Sequence, residues 1–394
     1  MDIQSLLNYA IAFFSLFSLN VFILLYLKHR KDYDKPLNYT GWTPLVSVVM
    51  PAYNEEKYIV SSIRSILETD YPKDKLDIII VDDGSTDNTC KVAKAFESEN
   101  LRVITKKNGG KGAALNFGLK HARGELVATM DADSYVTKNT IKELIPLFED
   151  AEVMAVTPAV KIRSSDSWLK EFQRVEYLMI LFSRKLLSFI DSVPVTPGPF
   201  SMFRRKVFDE VGGFDESNLV EDQEIALRIQ AHNYKIRSSL TAEVFTEPPD
   251  NMKDLMKQRV RWQRGGVRNY WKYKFMIKPE YGDFGMYFVP LNFAALSAFF
   301  VVLGLMLYSI LTTPYYVQYI WFEAMGMDIN LMSFVGAFVV ITSTIFLWLA
   351  VKSYKTEQVK LRYLISFLVF YWYIMIGYNL LFVLKELKNE AYSW

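Results

Sequence analysis

Leu-Asp-Ile-Ile-Ile-Val-Asp-Asp-Gly-Ser-Thr-Asp, residues 76–87, is the stretch that decides the fold. Its apolar centre predicts a buried strand, and Asp82 and Asp83 follow that strand directly. Gly84 permits a tight turn and the Ser85-Thr86 pair can cap the next helix, which leaves both aspartates facing a ligand. A strand, an acidic turn and a helix in this order are typical of an α/β sheet, which binds ligands beyond the carboxyl ends of its strands.

The same alternation continues on both sides of this stretch. We expect buried strands at 45–50, 76–81, 101–105 and 126–130, with helices between them at 58–67, 87–98 and 113–121. Strands that alternate with helices imply right-handed crossovers and a mostly parallel sheet. The sequence therefore predicts the α/β fold class for a domain over residues 44–250, a length typical of one hydrophobic core.

Four apolar runs lie outside this domain and contain no Asp, Glu, Lys or Arg: residues 6–27, 285–311, 331–351 and 363–384. A hydrocarbon core of about 30 Å takes about 20 helical residues, so each run is long enough to cross it. Buried helices of soluble proteins rarely stay uncharged for so long. We therefore expect about four spans, and a multi-pass protein of the cell membrane. The first run has no basic start or cleavage site and is expected to stay as an anchor.

Basic residues set the expected orientation. They cluster directly after the first run, at Lys28, His29, Arg30, Lys31 and Lys35. Residues 1–5 and 312–330 contain no Lys or Arg, so the positive-inside rule places the domain in the cytoplasm. Four crossings would then leave both termini outside, which Lys385 and Lys388 fit less well. The last run is thus the least secure crossing.

These patterns divide the chain into an N-terminal anchor with a basic linker, the α/β domain, an interfacial basic and aromatic segment, and transmembrane helices, at residues 1–43, 44–250, 251–284 and 285–394. Apolar positions recur at helical spacing in 168–190, and an interfacial helix and packing against the domain explain them equally well. Segment 257–278 interleaves aromatic with basic residues just before a membrane run. Anionic lipid or substrate phosphate suits it better than nucleic acid.

Composition excludes several kinds of site. The 45 Lys and Arg nearly balance the 43 Asp and Glu, so total charge gives no argument for a nucleic-acid partner. One cysteine excludes an internal disulfide framework, and three scattered histidines form no zinc-type cluster. Any metal should therefore be a hard cation with oxygen ligands.

Motifs after the strands predict a bound nucleotide. Residues two apart on an extended segment project to the same side, so Asp131 and Asp133 can hold Mg²⁺ or Mn²⁺ together with a diphosphate. The loop Asn108-Gly109-Gly110-Lys111-Gly112 offers backbone amides and an ammonium group at a helix start, which suits an anion. The turn Pro51-Ala52-Tyr53-Asn54-Glu55-Glu56 has a backbone that can line a nucleoside pocket. Each motif alone is weak, and the signal lies in their shared position after strands.

Two later motifs supply what a transfer reaction needs. Glu221 and Asp222 begin a helical run, where a carboxylate either caps the helix or accepts a proton from an acceptor hydroxyl. In Gln258-Arg259-Val260-Arg261-Trp262, guanidinium groups suit diphosphate oxygens and the indole face suits the C–H face of a sugar. Together the motifs indicate sugar transfer from a nucleotide donor.

In the order and type of these motifs, residues 44–266 resemble the membrane-integrated family 2 glycosyltransferases. The resemblance implies a GT-A fold and a metal-dependent, inverting hexosyltransferase, with a UDP-sugar favoured as donor and a GDP-sugar as the alternative. By the family's motif roles Asp222 is the base, and Asp131 and Asp133 serve nucleotide and metal. The other expected substrate-binding residues are Pro51, Tyr53, Glu55, Asp82, Asp83, Lys111, Glu221, Gln258, Arg259, Arg261 and Trp262.

Within the family, the last motif and the several spans are similar to synthases of hyaluronan, chitin, cellulose and poly-N-acetylglucosamine. The expected acceptor is a growing polysaccharide at the membrane, and the alternative is one sugar added to a ceramide-like or polyprenyl-phosphate lipid. Two departures concern the acceptor side: Val220-Glu221-Asp222 replaces the common Thr-Glu-Asp, and prolines occur in Thr196-Pro197-Gly198-Pro199-Phe200. An inactive scaffold or glycan-binding protein is disfavoured, because every expected acidic residue is present.

Overall fold

The computed structural model of the chain describes residues 3–33, 41–312, 331–354 and 357–388. Lys35 and the connection 313–330, on which part of the orientation argument rests, lie outside the described residues.

A mixed sheet forms the centre of the α/β domain. Its strands are β1 Val46–Ala52, β2 Leu76–Asp82, β3 Leu101–Thr105, β4 Leu126–Thr129, β5 Ser134–Val136, β6 Val153–Ile162, β7 Ser201–Arg204 and β8 Lys235–Thr246. They lie in the order β3-β2-β1-β4-β7-β6-β8-β5. Among the described residues four of the seven strand pairings are parallel, which confirms the mostly parallel sheet. The sequence did not predict the antiparallel pairings of β5 and β7.

The α-helices of the described residues are α1 Ile3–His29, α2 Ile59–Leu67, α3 Thr89–Lys94, α4 Lys111–Leu119, α5 Thr140–Leu144, α6 Trp168–Ser188, α7 Arg205–Glu210, α8 Glu221–Ala231, α9 Met252–Lys272, α10 Val289–Thr312, α11 Leu331–Lys352 and α12 Leu361–Leu387. The helices and strands expected between residues 45 and 130 all form, with shifted ends. The largest shift shortens the expected helix 87–98 to α3.

The central strands are apolar because helices cover both faces of the sheet. Residues of β1 alternate between two cores: Val48 packs with Ile63 of α2 on one face, and Val49 packs with Leu115 of α4 on the other. A strand buried on both sides has no need of polar alternation. Gly118 lets α4 approach closely, since a Cβ there would meet the side chains of Val49 and Val81.

Helix α6 connects the α/β domain with the long apolar helices. Leu178 and Leu181 pack with Ala159 of β6, whereas Phe172 and Val175 pack with side chains of α11 and α12. Its first turn is capped by Ser167, whose side chain accepts from the Lys170 backbone N–H. Of the two interpretations of segment 168–190, packing against the domain is therefore realised, and the same helix also touches the apolar helices.

Four helices of the described residues are long and apolar enough to cross a membrane: Leu6–His29, Phe284–Leu305, Phe334–Lys352 and Leu361–Leu387. They coincide with the four expected runs. Helix α1 packs along α11 and α10, while α12 packs along α9 and α6. The boundaries proposed at 43/44, 250/251 and 284/285 stay predictions.

Gly118→Ala should destabilise the domain although alanine favours a helix by about 1 kcal/mol over glycine. The added methyl group would collide with Val49 and Val81, and overpacking of this kind costs about 1–3 kcal/mol. Gly304→Ala is the matched control, because a Cβ at this helix position meets nothing within 4 Å. Thermal unfolding of the detergent-solubilised protein measures both. A Gly118→Ala protein that melts at or above the wild-type temperature would contradict the packing argument.

Candidate active site

A cavity of about 360 Å³ lies between the sheet, α6, α8 and α9. Its lining includes eight of the expected site residues: Lys111, Asp131, Asp133, Glu221, Asp222, Gln258, Arg261 and Trp262. They come from four separate stretches of the sequence, so the fold brings most of the expected site together.

Asp131 and Asp133, called the acid pair, lie in a turn between β4 and β5, not on the extended segment that the sequence predicted. The Ser134 backbone N–H donates to the Asp131 carbonyl at 3.1 Å and closes this turn. The Ser134 hydroxyl also donates to Asp133 Oδ1 at 3.1 Å. Both carboxylates still line the cavity, because the turn carries them there together.

Gly198 allows the segment 196–200 to sit against the acid pair. A Cβ at this position would lie 2.5 Å from Asp131 Oδ2 and equally close to Lys111 Nζ. The Gly198 carbonyl accepts from the Asp131 N–H at 3.1 Å, and the Thr196 hydroxyl donates to the Asp222 carbonyl at 2.8 Å. The proline-containing segment thus touches both the acid pair and the expected base.

Lys111 lies between two acidic groups at the start of α4. Its Nζ is 2.6 Å from Asp131 Oδ1 and 3.1 Å from Glu221 Oε1. Burial alone would lower the pKa of Lys111, but the charges of Asp131, Glu221 and Asp222 raise it well above its usual value. The acidic clusters have no lysine beside them in sequence, yet the fold supplies one here.

Asp83 also has a lysine partner. Its Oδ1 is 2.6 Å from Lys106 Nζ, and its carboxylate accepts from the backbone N–H groups of Gly109 and Gly110. Only 3% of Asp83 is exposed. In the described structure this aspartate therefore holds the glycine loop that leads to Lys111.

The loops after β1 and β2 are tied to each other. The Asn54 N–H donates to Ser85 Oγ at 3.0 Å, and the Thr86 N–H donates to Asn54 Oδ1 at 2.8 Å. Asp87, not Ser85 or Thr86, accepts from a backbone N–H at the start of α3, that of Thr89 at 2.9 Å. The capping role predicted for Ser85 or Thr86 was wrong, because both contact the neighbouring loop instead.

The remaining donor-side residues lie at the carboxyl ends of β1 and β2 and do not line the cavity: Pro51, Tyr53, Glu55, Asp82 and Asp83. Tyr53 is 47% exposed. Glu55 is within electrostatic reach of the cavity, because burial and then the charges of Asp133 and Asp131 raise its pKa to about 7. These residues thus form an edge next to the acid pair.

The acid pair fits a hard divalent cation. Burial and then the charge of Asp131 raise the pKa of Asp133 to about 6, although the charge of Lys111 acts in the opposite direction. Carboxylate oxygens are the ligands that Mg²⁺ prefers. Among the described residues no group of three or more His, Cys, Asp or Glu is placed to hold a metal. The protein would therefore supply two carboxylates and leave other positions to diphosphate and water.

Asp222 lies in the first turn of α8 beside buried Glu221. Burial and then the charge of Glu221 raise the pKa of Asp222 to about 6, although Lys111 and Arg261 act in the opposite direction. Its Oδ1 accepts from the Gln223 N–H at 2.8 Å. A carboxyl group with this pKa is ionised at neutral pH and still more basic than an ordinary aspartate.

Helix α9 carries its motif on two faces. Gln258, Arg261 and Trp262 are three and four residues apart and line the cavity on one side. Arg259 points elsewhere: its Nη2 lies 2.5 Å from Glu176 Oε2, and its guanidinium lies 4.2 Å from the Trp262 ring centre. Of the two arginines expected at the diphosphate, Arg261 is the one that faces the cavity.

Helix α6 supplies site residues that the sequence did not predict. Tyr177 and Arg184 line the cavity, and Glu176 pairs with Arg259. Arg184 is 4% exposed and donates to the Pro158 carbonyl at 2.7 Å, and burial lowers its pKa to about 10. The available signal was a set of polar residues within a helix that is otherwise strongly apolar on its packing face.

Residues 47–212 match the family model described as glycosyl transferase family 2. The chain is 26% identical over 372 residues to the probable glycosyltransferase YdaM of Bacillus subtilis, with 89% of this chain and 86% of the relative covered. It is also 26% identical over 355 residues to the poly-beta-1,6-N-acetyl-D-glucosamine synthase of Staphylococcus epidermidis, with 88% and 84% covered.

A solved structure shares the fold. The mannosyltransferase PcManGT from Pyrobaculum calidifontis, in complex with GDP-Man and Mn²⁺, aligns with a TM-score of 0.63 over 87% of this chain and 99% of that chain. Sequence identity is 22%, so the likeness concerns the fold, which is GT-A. The chain therefore contains a glycosyltransferase family 2 domain of GT-A fold, joined to four helices long and apolar enough to cross a membrane.

Proposed function

We propose that the chain is a metal-dependent, inverting hexosyltransferase that extends a polysaccharide from a nucleotide sugar at the cytosolic membrane surface. One observation carries the proposal: Asp131, Asp133, Asp222 and Trp262 line a single cavity, the catalytic cavity, and Trp262 also lines a second cavity that reaches α10 and α12. The cavity thus combines a site for a diphosphate with a base and an aromatic surface for a sugar.

The donor diphosphate lies against the acid pair and Lys111 in this proposal. When bound, Mg²⁺ or Mn²⁺ held by Asp131 and Asp133 would offset charge on the departing nucleoside diphosphate. Arg261 adds a guanidinium group on the same cavity. The nucleoside would lie along the edge formed by Pro51, Tyr53, Glu55, Asp82 and Asp83. The resemblance of the motifs to family 2 glycosyltransferases favours a UDP-sugar, and the GDP-Man complex of the mannosyltransferase keeps a GDP-sugar as the alternative.

Asp222 accepts the proton of the acceptor hydroxyl in this mechanism. As the hydroxyl oxygen bonds to the anomeric carbon, the bond from that carbon to the diphosphate oxygen breaks on the opposite side, which inverts the configuration. The indole of Trp262 would support the ring of the acceptor sugar. The positions of Asp222 and Trp262 around one cavity support this geometry.

A second cavity supports a polymeric acceptor. It also has a volume of about 360 Å³, and it shares Ile180, Gln223 and Trp262 with the catalytic cavity. It continues between α9, α10 and α12, where the amides of Asn292 and Asn379 line it with aromatic side chains. Amides and aromatic faces suit a glycan, so a product chain could extend this way from the site.

A lipid acceptor is the second candidate, and a third cavity favours it. This space of about 410 Å³ shares Arg184 and Val195 with the catalytic cavity and is lined by apolar side chains that include Phe22, Phe288 and Phe367. An acyl or prenyl chain would suit such a surface. The enzyme would then add one sugar to the lipid headgroup.

Membranes that contain the protein should convert a radiolabelled UDP-sugar into a product of many sugar units. Parallel reactions with UDP- and GDP-sugars, followed by sizing of the product, test donor and acceptor together. Chelation should abolish transfer and added Mg²⁺ or Mn²⁺ should restore it, because the acid pair then lacks its cation. A product with one sugar on a lipid would select the second candidate. Transfer that survives chelation would contradict the metal assignment.

Asp222→Asn should reduce transfer by about 100-fold or more while leaving donor binding nearly unchanged, because a base contributes about 10²–10⁴-fold. Asp209→Asn, at an exposed carboxylate, is the matched control. At saturating metal the wild-type rate should fall as pH drops through about 6, where Asp222 becomes protonated and can no longer accept a proton. A variant with wild-type turnover, or with the same acid limb as the wild type, would exclude Asp222 as the base.

Glu176→Gln should slow transfer to the acceptor without raising the KM for the donor. Arg259 would lose its partner, and the guanidinium that packs on Trp262 would lose its position. In the single variant the buried Arg259 charge has no ion-pair partner, which costs about 3–5 kcal/mol of stability. Adding Arg259→Gln removes this charge, so the double variant should regain stability but not acceptor transfer. Thermal unfolding and separate donor and acceptor kinetics measure these effects. A raised donor KM would instead place Arg259 at the diphosphate.

A further inference from the structure

The segment before α12 is bound to the GT-A domain. Glu357 Oε2 accepts from Arg174 Nε of α6 at 2.7 Å, and Glu357 Oε1 lies 3.4 Å from Lys161 Nζ of β6. Lys161 is 3% exposed and belongs to the central sheet. The beginning of α12 therefore lies at the surface of the catalytic domain.

The end of α12 is bound to the same side. Glu386 accepts from Arg264 Nε at 2.6 Å and from Arg268 Nη2 at 3.0 Å. Both arginines belong to α9 and lie between two positions at which this helix contacts the domain. Trp262 lines the catalytic cavity, and Lys272 Nζ lies 2.9 Å from Glu224 of α8. Glu386 is consequently at the level of the catalytic domain too.

Contacts continue along the helix between these ends. The rings of Phe367 and Phe172 lie 5.5 Å apart, and the Tyr371 hydroxyl donates to Glu176 at 2.6 Å. Further along, a Cβ at Gly377 would lie 2.9 Å from the Met256 methyl group of α9. Helix α12 thus runs beside α6 and then beside α9, both of which are anchored on the domain.

This arrangement is incompatible with a full crossing. A helix of 27 residues is about 40 Å long, so a crossing of the hydrocarbon core of about 30 Å would carry one end to the opposite side. Ion pairs instead bind the start of α12 to α6 and β6, and its end to α9, which itself contacts the domain. Helix α9 has basic residues throughout and cannot accompany α12 through the lipid.

We infer that α12 lies in the membrane leaflet on the side of the catalytic domain, and that of the four apolar helices in the described residues only α1, α10 and α11 cross. The end of α12 then lies on the same side as the catalytic domain. This inference concerns topology and goes beyond the proposed reaction, because it holds whichever sugar or acceptor the enzyme uses.

One face of α12 is suited to contact with lipid acyl chains, and the other face packs against the protein. Apart from Arg362 near its start, the exposed residues of α12 are apolar or aromatic, among them Val369, Phe370, Trp372, Tyr373 and Leu384. Tyr371 and Asn379 face the protein. Lys360 and Arg362 at the start, and Lys385 and Lys388 at the end, place basic groups where anionic headgroups lie. Three crossings also bring the terminal lysines inside, as the positive-inside rule requires.

Accessibility of single cysteines tests the topology in the full-length protein. In a Cys90→Ser background, which removes the one native cysteine, Lys91→Cys marks the catalytic domain and Gln318→Cys marks the connection between α10 and α11. Lys388→Cys reports the end of α12. A membrane-impermeant thiol reagent is applied to intact and to permeabilised cells. Lys388→Cys should match Lys91→Cys in both conditions and differ from Gln318→Cys in intact cells.

A Lys388→Cys protein that is labelled like Gln318→Cys, and unlike Lys91→Cys, would overturn the inference. Equal labelling of Gln318→Cys and Lys91→Cys would overturn the three crossings as well.

A second measurement uses a short bifunctional thiol reagent on the pair Arg268→Cys and Glu386→Cys, with Gln318→Cys and Glu386→Cys as the control pair. The first pair should be cross-linked and the control pair should not. The reverse result would again show a crossing helix.

Discussion

The site depends on the ion pairs that Lys111 makes with Asp131 and Glu221. They join the turn after β4 to the starts of α4 and α8, so three separate elements meet at one ammonium group. Without it the carboxylates around the cavity would repel one another in a partly desolvated space. Even with this lysine, burial and then the neighbouring carboxylates Asp131 and Glu221 raise the pKa of Asp133 and of Asp222 to about 6. Such carboxylates favour a bound cation at Asp133 and the acceptance of a proton at Asp222.

Helix α9 connects the cavity with the apolar helices. One face brings Arg261 and Trp262 to the cavity, while Arg259 on another face pairs with Glu176 of α6. The same glutamate accepts from Tyr371 of α12. The cavity wall that carries Trp262 is therefore positioned jointly by α6 of the GT-A domain and by the apolar helix α12.

The sequence predicted the parallel half of the sheet because those strands are buried on both faces and are therefore continuously apolar. It missed β6 and β8, which carry charged residues such as Lys161 and Arg237 whose partners lie far away in the sequence. The sequence also predicted the outline of the site, because motifs that directly follow parallel strands lie together at the carboxyl edge of the sheet. Pairing of Lys106 with Asp83, and of Lys111 with Asp131, depends on tertiary contacts that spacing alone does not specify.

Apolar runs illustrate the same limit most clearly. Length and composition give α11 and α12 the same prediction, because both have enough uncharged residues for a crossing. What separates them is the polar residues at their ends and the partners those residues find. Glu357 and Glu386 bracket α12, and arginines on α6 and α9 bind them on one side of the lipid. A charged residue beside an apolar run therefore specifies the position of the run only once the fold has placed its counter-charge.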